Sequence, residues 1–409
     1  MARPRVRKDP KRGTWIVEYY DANHKQHRLK GFKTKRDADA RADQIGGELR
    51  KGVHVPDSTS GVVADACRVW LQRARDERLE KETIRQYENH VNLHLLPLTD
   101  SGERPAWEGK LGDLKLSRLT TPVANAVQRE LSRRLSPSMA RKVFASFKAI
   151  LDEAAKHILV AFNAARGVKM RRRDRGEHKV HAGVDFPLKE EMAAVIAIIE
   201  GRWRPVIIVF AFCGLRASEL RGLEWDDVLN LDTEFPQIRV RQRADVEGEI
   251  GETKSDSAHR YIPLIPLAAR ELRAWKNICP RDRETSELRF VFPNGNGIVE
   301  NHANISNRGW KEWQKKAGVS VVRRDKEGKV VKNDGKPVVK AKYGVHALRH
   351  FFASLMIDRG FGLKRVQTLL GHSSVQMTLD VYAHLFPPEQ ADDRDRFADA
   401  EQSVLLAAK

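Results

Sequence analysis

The chain has 409 residues and 41% of them are hydrophobic, so it is long enough to build two or three packed domains. Its 74 Lys and Arg residues outnumber 55 Asp and Glu, which gives a formal net charge of +19. A surplus of this size favours a polyanionic partner, with nucleic acid first and an anionic membrane surface second. The longest apolar run, residues 205–215, falls short of the roughly 20 residues that a membrane-spanning helix needs.

The three cysteines, Cys67, Cys213 and Cys279, are far apart in the sequence. They form no Cys-x-x-Cys pair and no Cys/His pattern with zinc spacing. The N-terminus is basic and has no apolar stretch behind it, so it does not resemble a signal peptide. We therefore expect three reduced thiols in a cytosolic protein without a zinc site.

Residues 1–55 are predicted to form a small basic module, because they contain 15 Lys and Arg against 7 Asp and Glu. The predicted elements are strands at residues 14–20 and 27–32 and a helix at residues 34–49, with Thr34 as its N-cap. A basic strand face of this kind fits a DNA major groove. Its candidate DNA contacts are Lys25, Arg28 and Lys30. The alternative is a solvated basic tail with a hairpin.

Residues 62–165 are expected to be all helical, because apolar residues recur along them at helical spacing. Helices are predicted at residues 62–75 and 81–91, from an N-cap at Thr121 to near Leu135, and from Ser136 onward. Each of the last two begins with Ser or Thr followed by Pro, which is typical of a helix start. The final helix places Val143, Phe147, Ile150 and Leu151 on one stripe.

The same helix carries basic residues that are candidates for contacts with DNA phosphates, although an ordinary solvated face would look the same. They are Arg141, Lys142 and Lys148. Residues 166–184 follow as a basic linker with little apolar content, and we expect it to run along DNA. Its candidate contacts are Arg171, Arg172 and Arg173, and the alternative for this segment is simple disorder.

Residues 185–409 form the largest predicted unit, and the expected fold class is multidomain, mainly α with small β-sheets (α+β). Helices are expected at residues 190–200 and 204–212, strands at 237–243 and 260–264, and further helices from Ala268 onward. Residues 321–339 resemble a hairpin insertion, to which we assign no role. Residues 388–409 predict a final helix with Phe397, Val404, Leu405 and Leu406.

Five short segments of this unit combine Arg, Lys, His and Tyr in a notable order. They are residues 214–220 with Arg216, 253–255 with Lys254, 346–350 with His346 and Arg349, 370–374 with His372, and 378–384 with Tyr382. On a helix, His346 and Arg349 share a face and would suit an anion held between them. Such a pair alone is more often part of an amphipathic helix, so the order of all five segments is the stronger signal.

In this order, the five segments resemble the tyrosine recombinase (phage integrase) family. They match its first Arg box, its β-hairpin Lys, its His-x-x-Arg box, its Gly-His segment and its nucleophilic Tyr. The resemblance extends upstream, since residues 62–165 look like the family's helical core-binding domain. Residues 1–55 look like the arm-binding module of the lambda-type integrases, which leaves residues 185–409 as the catalytic domain with a C-terminal tail.

The resemblance implies a site-specific recombinase that cuts and rejoins DNA through a 3′-phosphotyrosine intermediate, with Tyr382 as nucleophile. Arg216 and Arg349 would hold the non-bridging phosphate oxygens. The other implied roles are Lys254 as general acid for the departing 5′ hydroxyl, His346 as the residue that assists Tyr382 as base, and His372 as a hydrogen-bond donor to the phosphorane. Rejoining then needs no ATP, metal or other cofactor, and the sequence shows no obvious carboxylate cluster.

Some residues near these motifs are open to a second interpretation. Spacing alone does not separate Lys254 from the other lysines of the domain, such as Lys189, Lys276 and Lys340. Glu219 and Trp225 are interpreted as structural residues. His350 and His384 are interpreted as supporting or solvent-facing residues.

By the same resemblance, the expected partners are double-stranded DNA at attachment sites, three further copies of the chain in a tetramer, and an accessory DNA-bending or directionality protein. No membrane partner is expected, and the implied location is the cytoplasm of a bacterial host, at the nucleoid. The C-terminal tail would dock on a neighbouring protomer, with packing on its own domain as the alternative.

The leading hypothesis is integration or excision of a prophage or other mobile element, since the arm-like module is not expected in a two-domain chromosome-dimer resolvase. A type IB topoisomerase, which relaxes DNA without site preference, is one alternative. A DNA-binding regulator that does not cut is another. The complete set of Arg, Lys, His and Tyr residues argues against the regulator, because a binding module needs neither the tyrosine nor the acid.

Overall fold

The computed structural model describes residues 3–21, 24–170, 179–253, 258–325 and 327–386. The chain divides into two compact units, residues 1–172 and 173–409. In the described ranges, helices predominate and the strands form sheets of two or three, which confirms the predicted α+β class. The finer domain boundaries stay predictions. Lys254, the candidate contacts Arg171, Arg172 and Arg173, and the helix predicted at residues 388–409 lie outside the described residues.

A three-stranded antiparallel sheet covered by one helix begins the first unit. Its elements are β1 (Arg5–Lys8), β2 (Trp15–Tyr20), β3 (Gln26–Phe32) and α1 (Lys35–Arg50). Val17, Tyr19 and Ile45 belong to a hydrophobic core between sheet and helix. Thr34 accepts the N–H of Asp37 and caps α1, as predicted. β1 was not predicted, because three of its four residues are Arg or Lys and show no apolar alternation.

Four α-helices surround a second hydrophobic core in this unit. They are α2 (Val63–Asp76), α3 (Lys81–Asn89), which continues as a π-helical turn (His90–Leu95), α4 (Thr121–Arg134) and α5 (Pro137–Lys156). The predicted stripe of α5 is buried at all four positions, and Ser136 caps this helix by accepting the N–H of Met139. The N-cap predicted for α4 was wrong by one residue. Thr120 has the extended cap conformation, and Thr121 is already helical with Pro122 in the first turn.

The second unit is built around α7, whose side chains are mostly buried. Its helices are α6 (Lys189–Ile198), α7 (Trp203–Cys213), α8 (Ala217–Arg221), α9 (Pro266–Ile278), α10 (His302–Asn304), α11 (Glu312–Lys316), α12 (Ala347–Asp358), α13 (Leu363–Leu370) and α14 (Val375–Tyr382). A π-helical segment (Ile305–Lys311) joins α10 to α11. Both α9 and α12 pack against α7, so the helix that carries Arg349 lies directly on the core.

Two small sheets follow α8. The first has the antiparallel order β4 (Val228–Leu229), β5 (Gln237–Val240) and β8 (Arg260–Pro263), and the second pairs β6 (Gln242–Ala244) with β7 (Ile250–Glu252). The predicted strand at residues 237–243 is therefore two strands in different sheets. β7 lies between the two predicted strands, in a segment for which no strand was predicted, because only one of its three residues is apolar.

The predicted hairpin insertion is a β-ribbon whose outer end divides into two short arms. β9 (Ser320–Val322) pairs with β12 (Val339–Ala341) to form its stem, and β10 (Lys332–Asn333) pairs with β11 (Lys336–Pro337) farther out. A bridge between Arg324 and Val330 closes the second short arm. Residues 320–341 are called the ribbon below.

The end of α7 depends on Gly214, which has a left-handed backbone conformation with φ of +61°. A Cβ atom at this position would overlap the ring of Phe352 on α12. Any other residue would therefore combine backbone strain with a steric clash. Glycine is needed where α7 stops and the chain turns towards Arg216.

Gly214→Ala is expected to lower the free energy of unfolding by about 2–5 kcal/mol, because left-handed strain and overpacking add. Gly201→Ala is the matched control: Gly201 has φ of +59°, but no atom lies within 4 Å of the added Cβ. The control should cost only about 1 kcal/mol. Chemical denaturation of the full-length chain, followed by tryptophan fluorescence, measures both, and equal losses would contradict the steric role of Phe352.

Candidate active site

The C-terminal end of α13 is bound by three arginines. The carbonyl oxygen of Leu369 accepts from Nε of Arg260 (2.7 Å), that of Leu370 from Nη2 of Arg349 (2.6 Å), and that of Gly371 from Nη2 of Arg216 (2.7 Å). The last carbonyl groups of a helix have no partner within it and carry partial negative charge. Guanidinium groups satisfy both demands, so one helix end places three cations side by side.

A buried carboxylate, that of Glu219 on α8, holds two of these arginines from the other side. It accepts from Nη1 of Arg216 (2.6 Å) and Nη2 of Arg260 (2.8 Å), and also from the backbone N–H of Arg216 (2.8 Å). Burial alone would raise the pKa of Glu219, but the charges and hydrogen bonds of Arg260 and Arg216 lower it to about 2. Glu219 is thus ionised at neutral pH, and its interpretation as a structural residue agrees with these contacts.

Arg349 is buried, whereas about a third of the Arg216 side chain is exposed (35%). Besides its bond to α13, Arg349 donates from Nη1 to the carbonyl oxygen of Gly214 (2.6 Å). Burial, followed by the charge of Arg216, lowers the pKa of Arg349 to about 9, so the group still carries its charge at neutral pH. The two arginines named in the sequence analysis are therefore together, one at the surface and one beneath it.

Tyr382, the last residue of α14, is buried, and its hydroxyl lies 2.7 Å from Nδ1 of His350. Burial raises the pKa of Tyr382 above its usual value, and the positive charge of Arg349 opposes this rise. His350 is therefore the imidazole that contacts the phenol, and the residue supports the tyrosine directly. His384 also has a partner, since its Nε2 donates to the carbonyl oxygen of Val180 (2.9 Å).

His346 stands at the N-cap of α12, one turn before His350, and the two rings meet edge to face with centroids 4.9 Å apart. Loss of hydration, together with the positive charge of Arg349, lowers the pKa of both histidines to about 4. His346 nevertheless keeps an exposed edge. Both rings are neutral at pH 7, and the structure brings His350, rather than His346, to the tyrosine hydroxyl.

His372 follows Gly371 and lies close to the same arginines. Its Nδ1 is 2.9 Å from Oγ1 of Thr378. Burial and then the charges of Arg349 and Arg216 lower its pKa to about 3, so this imidazole is also neutral at pH 7. Five of the six predicted catalytic residues, all except Lys254, are thus brought to one region by α8, α12, α13 and α14.

A cleft of about 350 Å³ opens beside Arg216 and Gly371, and it is also lined by Thr253 and Ala258. These last two residues flank the segment that contains Lys254, which lies outside the described residues. The alternative lysines have other surroundings. Lys189 pairs with Asp358 (2.8 Å), Lys276 lies over the ring of Trp225, and Lys340 belongs to the ribbon.

The candidate DNA contacts of the N-terminal sheet lie on or beside β3, and all three side chains are exposed: Lys25, Arg28 and Lys30. Nε of Arg28 also pairs with Glu18 (2.8 Å). Their exposure leaves them accessible to a polyanion.

The three basic residues predicted on α5 differ in their surroundings. Lys142 is exposed and Arg141 is half-buried. Lys148 donates from Nζ to the carbonyl oxygen of Val168 (2.6 Å) and lies over the ring of Phe144. This position gives Lys148 a structural contact, and its role at DNA stays a prediction.

The structure groups three carboxylates that the sequence analysis did not notice. Those of Asp245, Glu247 and Glu249 lie within 4.8 Å of one another in the turn between β6 and β7. The Asp245 carboxylate accepts the backbone N–H groups of Glu247 and Glu249 (2.9 Å each), which is how such a turn is usually held. The group is explained by the turn itself.

Two other expectations concern the cysteines and the membrane. All three cysteines are free, which agrees with the predicted reduced thiols, and all three are buried. Among the helices in the described ranges, none combines the length and the apolar character needed to cross a bilayer.

A model of the phage integrase family matches residues 188–389 of this chain. The tyrosine recombinase XerC-like protein of Caldanaerobacter subterraneus subsp. tengcongensis is 24% identical over 383 residues, which cover 88% of this chain and 88% of the relative. The chain belongs to the tyrosine recombinase family. As a member of it, this recombinase is a site-specific DNA-recombining enzyme of the integrase type.

Two solved structures resemble the recombinase in fold. The Tn1549 transposon integrase (residues 82–397) in complex with a circular intermediate DNA has a TM-score of 0.57 at 19% identity, covering 83% of this chain and 99% of that one. A lambda integrase tetramer bound to a Holliday junction has a TM-score of 0.53 at 15% identity, covering 91% and 96%. At these identities the likeness concerns the fold alone.

Arg260 was not named as a site residue from the sequence, and His350 was named only as a supporting or solvent-facing residue. Arg260 alternates with Ile262 along β8, so its place on the buried face was readable from the period of two. His350 follows His346 by four positions, which puts the two on one face of a helix. Both signals were present, but neither shows that the residue would meet Glu219 or Tyr382.

Glu219→Gln is expected to destabilise the recombinase at neutral pH and to flatten its acid response. The pKa of Glu219 is depressed from 4.5 to about 2, so the stability from its charge is present above about pH 5 and lost as the pH falls towards 2. Denaturation at several pH values should show wild type losing about 3 kcal/mol more than the variant over that range. Glu287→Gln, at an exposed position, is the control. Parallel pH curves for wild type and Glu219→Gln would refute the assignment.

Proposed function

We propose that the recombinase cleaves one strand of duplex DNA with Tyr382, forms a 3′-phosphotyrosine bond, and so integrates or excises a mobile element. The observation that carries this proposal is the attachment of Arg216 and Arg349 to adjacent carbonyls at the end of α13, near the tyrosine that Arg349 influences. A phosphodiester placed there would meet two fixed cations and a nucleophile.

The arginines are prepared to bind a phosphate. In the described part of the chain, Arg216 and Arg349 each use two of five side-chain N–H donors to hold themselves in place. We assign the remaining donors to the non-bridging oxygens, whose charge grows in the transition state. Because the guanidinium groups are already fixed, they need little reorganisation when the phosphate arrives.

His350 is placed to take the proton of Tyr382. A neutral imidazole with its Nδ1 at 2.7 Å from the hydroxyl accepts a hydrogen bond, and proton transfer along that bond produces the phenolate. The pKa of His350, near 4, works against storage of the proton, so the positive charge of Arg349 and a bound phosphate must favour the attack. His346, the base implied by family resemblance, remains the alternative.

His372 and Lys254 complete the proposed chemistry. If Nδ1 of His372 accepts from the hydroxyl of Thr378, Nε2 carries the ring proton and can donate to the phosphorane. Lys254, in the segment between Thr253 and Ala258 beside the cleft, is proposed as the acid that protonates the departing 5′ hydroxyl. No step requires a metal or other cofactor.

DNA contacts outside the active site are assigned to exposed basic residues, and recombination is assigned to a tetramer. The proposed contacts are Lys25, Arg28, Lys30, Arg141, Lys142, Lys148, Arg171, Arg172 and Arg173. Support for the assembly comes from the fold shared with the lambda integrase tetramer bound to a Holliday junction. From the family resemblance, an accessory DNA-bending or directionality protein and a cytoplasmic location are also proposed.

Covalent trapping tests the nucleophile. Nicked suicide duplexes from the ends of the element and the adjacent chromosome should give an SDS-resistant protein–DNA adduct with wild type and none with Tyr382→Phe. Tyr261→Phe is the matched control, because Tyr261 is an exposed tyrosine of the same unit. Tight binding without any adduct would indicate a regulator that does not cut DNA. An adduct on unrelated plasmid DNA would indicate a topoisomerase. An adduct that survives in Tyr382→Phe would indicate that another residue is the nucleophile.

Single-turnover cleavage of the same duplexes separates the two histidines. His350→Ala should slow adduct formation by about 10²–10⁴-fold if His350 is the base, and His346→Ala should have the smaller effect. Wild-type activity should stay nearly constant down to about pH 5, since both imidazoles are neutral above their pKa near 4. If His346→Ala slowed adduct formation more than His350→Ala, the base would be His346.

A further inference from the structure

The ribbon has a charge far above the average for the chain. Residues 320–341 contain seven Lys and Arg against three Asp and Glu, which is a net +4 in 22 residues, whereas the whole chain of 409 has +19. All of its described residues are half-buried or exposed. A protruding element with this charge density suits a polyanion.

Most of this positive charge is not neutralised locally. Within the described ranges, Arg323, Lys332, Lys336 and Lys340 form no ion pair with a carboxylate. Lys329 does pair with Glu327 (3.1 Å), and both side chains are exposed. The four unpaired cations are spread from the stem to the outer arms of the ribbon, so they could contact a charged surface along its whole length.

The stem also presents an apolar pair. Val322 and Val339 face each other across β9 and β12, which places them on one face, and they are 41% and 47% exposed. Exposed apolar side chains between cations match a DNA groove, in which base edges and thymine methyl groups lie between two rows of phosphates.

The root of the ribbon is fixed close to the active site. The buried Gln314 side chain bonds to both backbone groups of Tyr343 (2.9 Å each), and the indole N–H of Trp310 donates to the carbonyl of Gly344 (3.0 Å). Five residue steps separate Ala341 from His346, so the root lies within about 17 Å of that histidine. The ribbon itself extends roughly 20 Å farther at the rise of a β-strand.

We propose that the ribbon is an additional DNA-binding element that lies in the major groove beside the cleaved phosphate. A two-stranded ribbon is one of the shapes that this groove admits, and its cations then contact the flanking phosphates. The proposal rests on the proposed function, since it assumes that DNA is bound at Arg216 and Arg349. The ribbon would add sequence-independent contacts with DNA next to the catalytic residues.

The salt dependence of DNA binding tests whether the ribbon contacts phosphates. The full-length chain binds a duplex of about 40 base pairs and mixed sequence, measured by fluorescence anisotropy between about 50 and 200 mM salt. Combined Lys332→Gln, Lys336→Gln and Lys340→Gln should reduce the slope of log affinity against log salt by about 2–3, since each lost phosphate contact removes about 0.9. Arg270→Gln, Arg273→Gln and Arg283→Gln, at exposed positions, change the net charge equally and should leave the slope nearly unchanged.

A deletion provides the second test. Asn-Gly in place of residues 323–338 would join the paired Val322 and Val339 through a tight turn and keep the stem. This variant should still form the covalent adduct on a suicide duplex, but should protect fewer guanine N7 atoms from methylation around the cleavage site.

The outcomes separate the two proposals. An unchanged salt slope and unchanged protection, with the adduct retained, would overturn the role of the ribbon alone. A smaller oligomer on DNA with an unchanged slope would also overturn it and indicate a contact between protomers. Absence of any adduct in wild type would overturn the proposed function instead, whatever the salt slope shows.

Discussion

The three arginines at the end of α13 are the arrangement on which the rest of the candidate site depends. Arg260 and Arg349 are buried, and burial of a charge is costly unless hydrogen bonds and an opposite charge compensate. The helix carbonyls supply the hydrogen bonds, and Glu219 supplies the opposite charge for Arg260 and Arg216. Since one carboxylate faces three guanidinium groups, the cluster retains positive charge that a phosphate can neutralise.

This surplus of charge also sets the protonation of its neighbours. His346, His350 and His372 lie among these cations with much of their hydration lost, and both effects keep their imidazoles neutral. Neutral rings can accept a proton at one nitrogen and donate from the other. Burial raises the pKa of Tyr382, and the positive charge of Arg349 opposes this rise. The arginine cluster therefore supplies the anion-binding groups and also shifts the pKa values of the groups that exchange protons.

The sequence allowed the fold class, most helices and the grouping of five catalytic candidates to be predicted, because each depends on local periodicity or on a motif. It did not allow β1 or β7 to be predicted, since these strands carry charged or polar residues and gain their partners only from neighbouring strands. The contact between His350 and Tyr382 joins two residues that are 32 positions apart in the chain, so no local pattern specifies it. Arg260 was readable as a buried residue, but its bond to Leu369 depends on how β8 meets α13.

Anchoring side chains on main-chain carbonyls has a consequence for how this protein can tolerate substitution. Every amino acid provides the same carbonyl group, so positions 369 and 370 can change their side chains, within the limits of packing, and still orient the arginines. The constraint falls instead on two positions without a side chain. Gly214 and Gly371 have left-handed conformations, and a Cβ at Gly371 would come within 2.8 Å of the Arg260 guanidinium. The geometry of the site is therefore set mainly by backbone shape and by these two glycines, and less by the side chains at the anchoring positions.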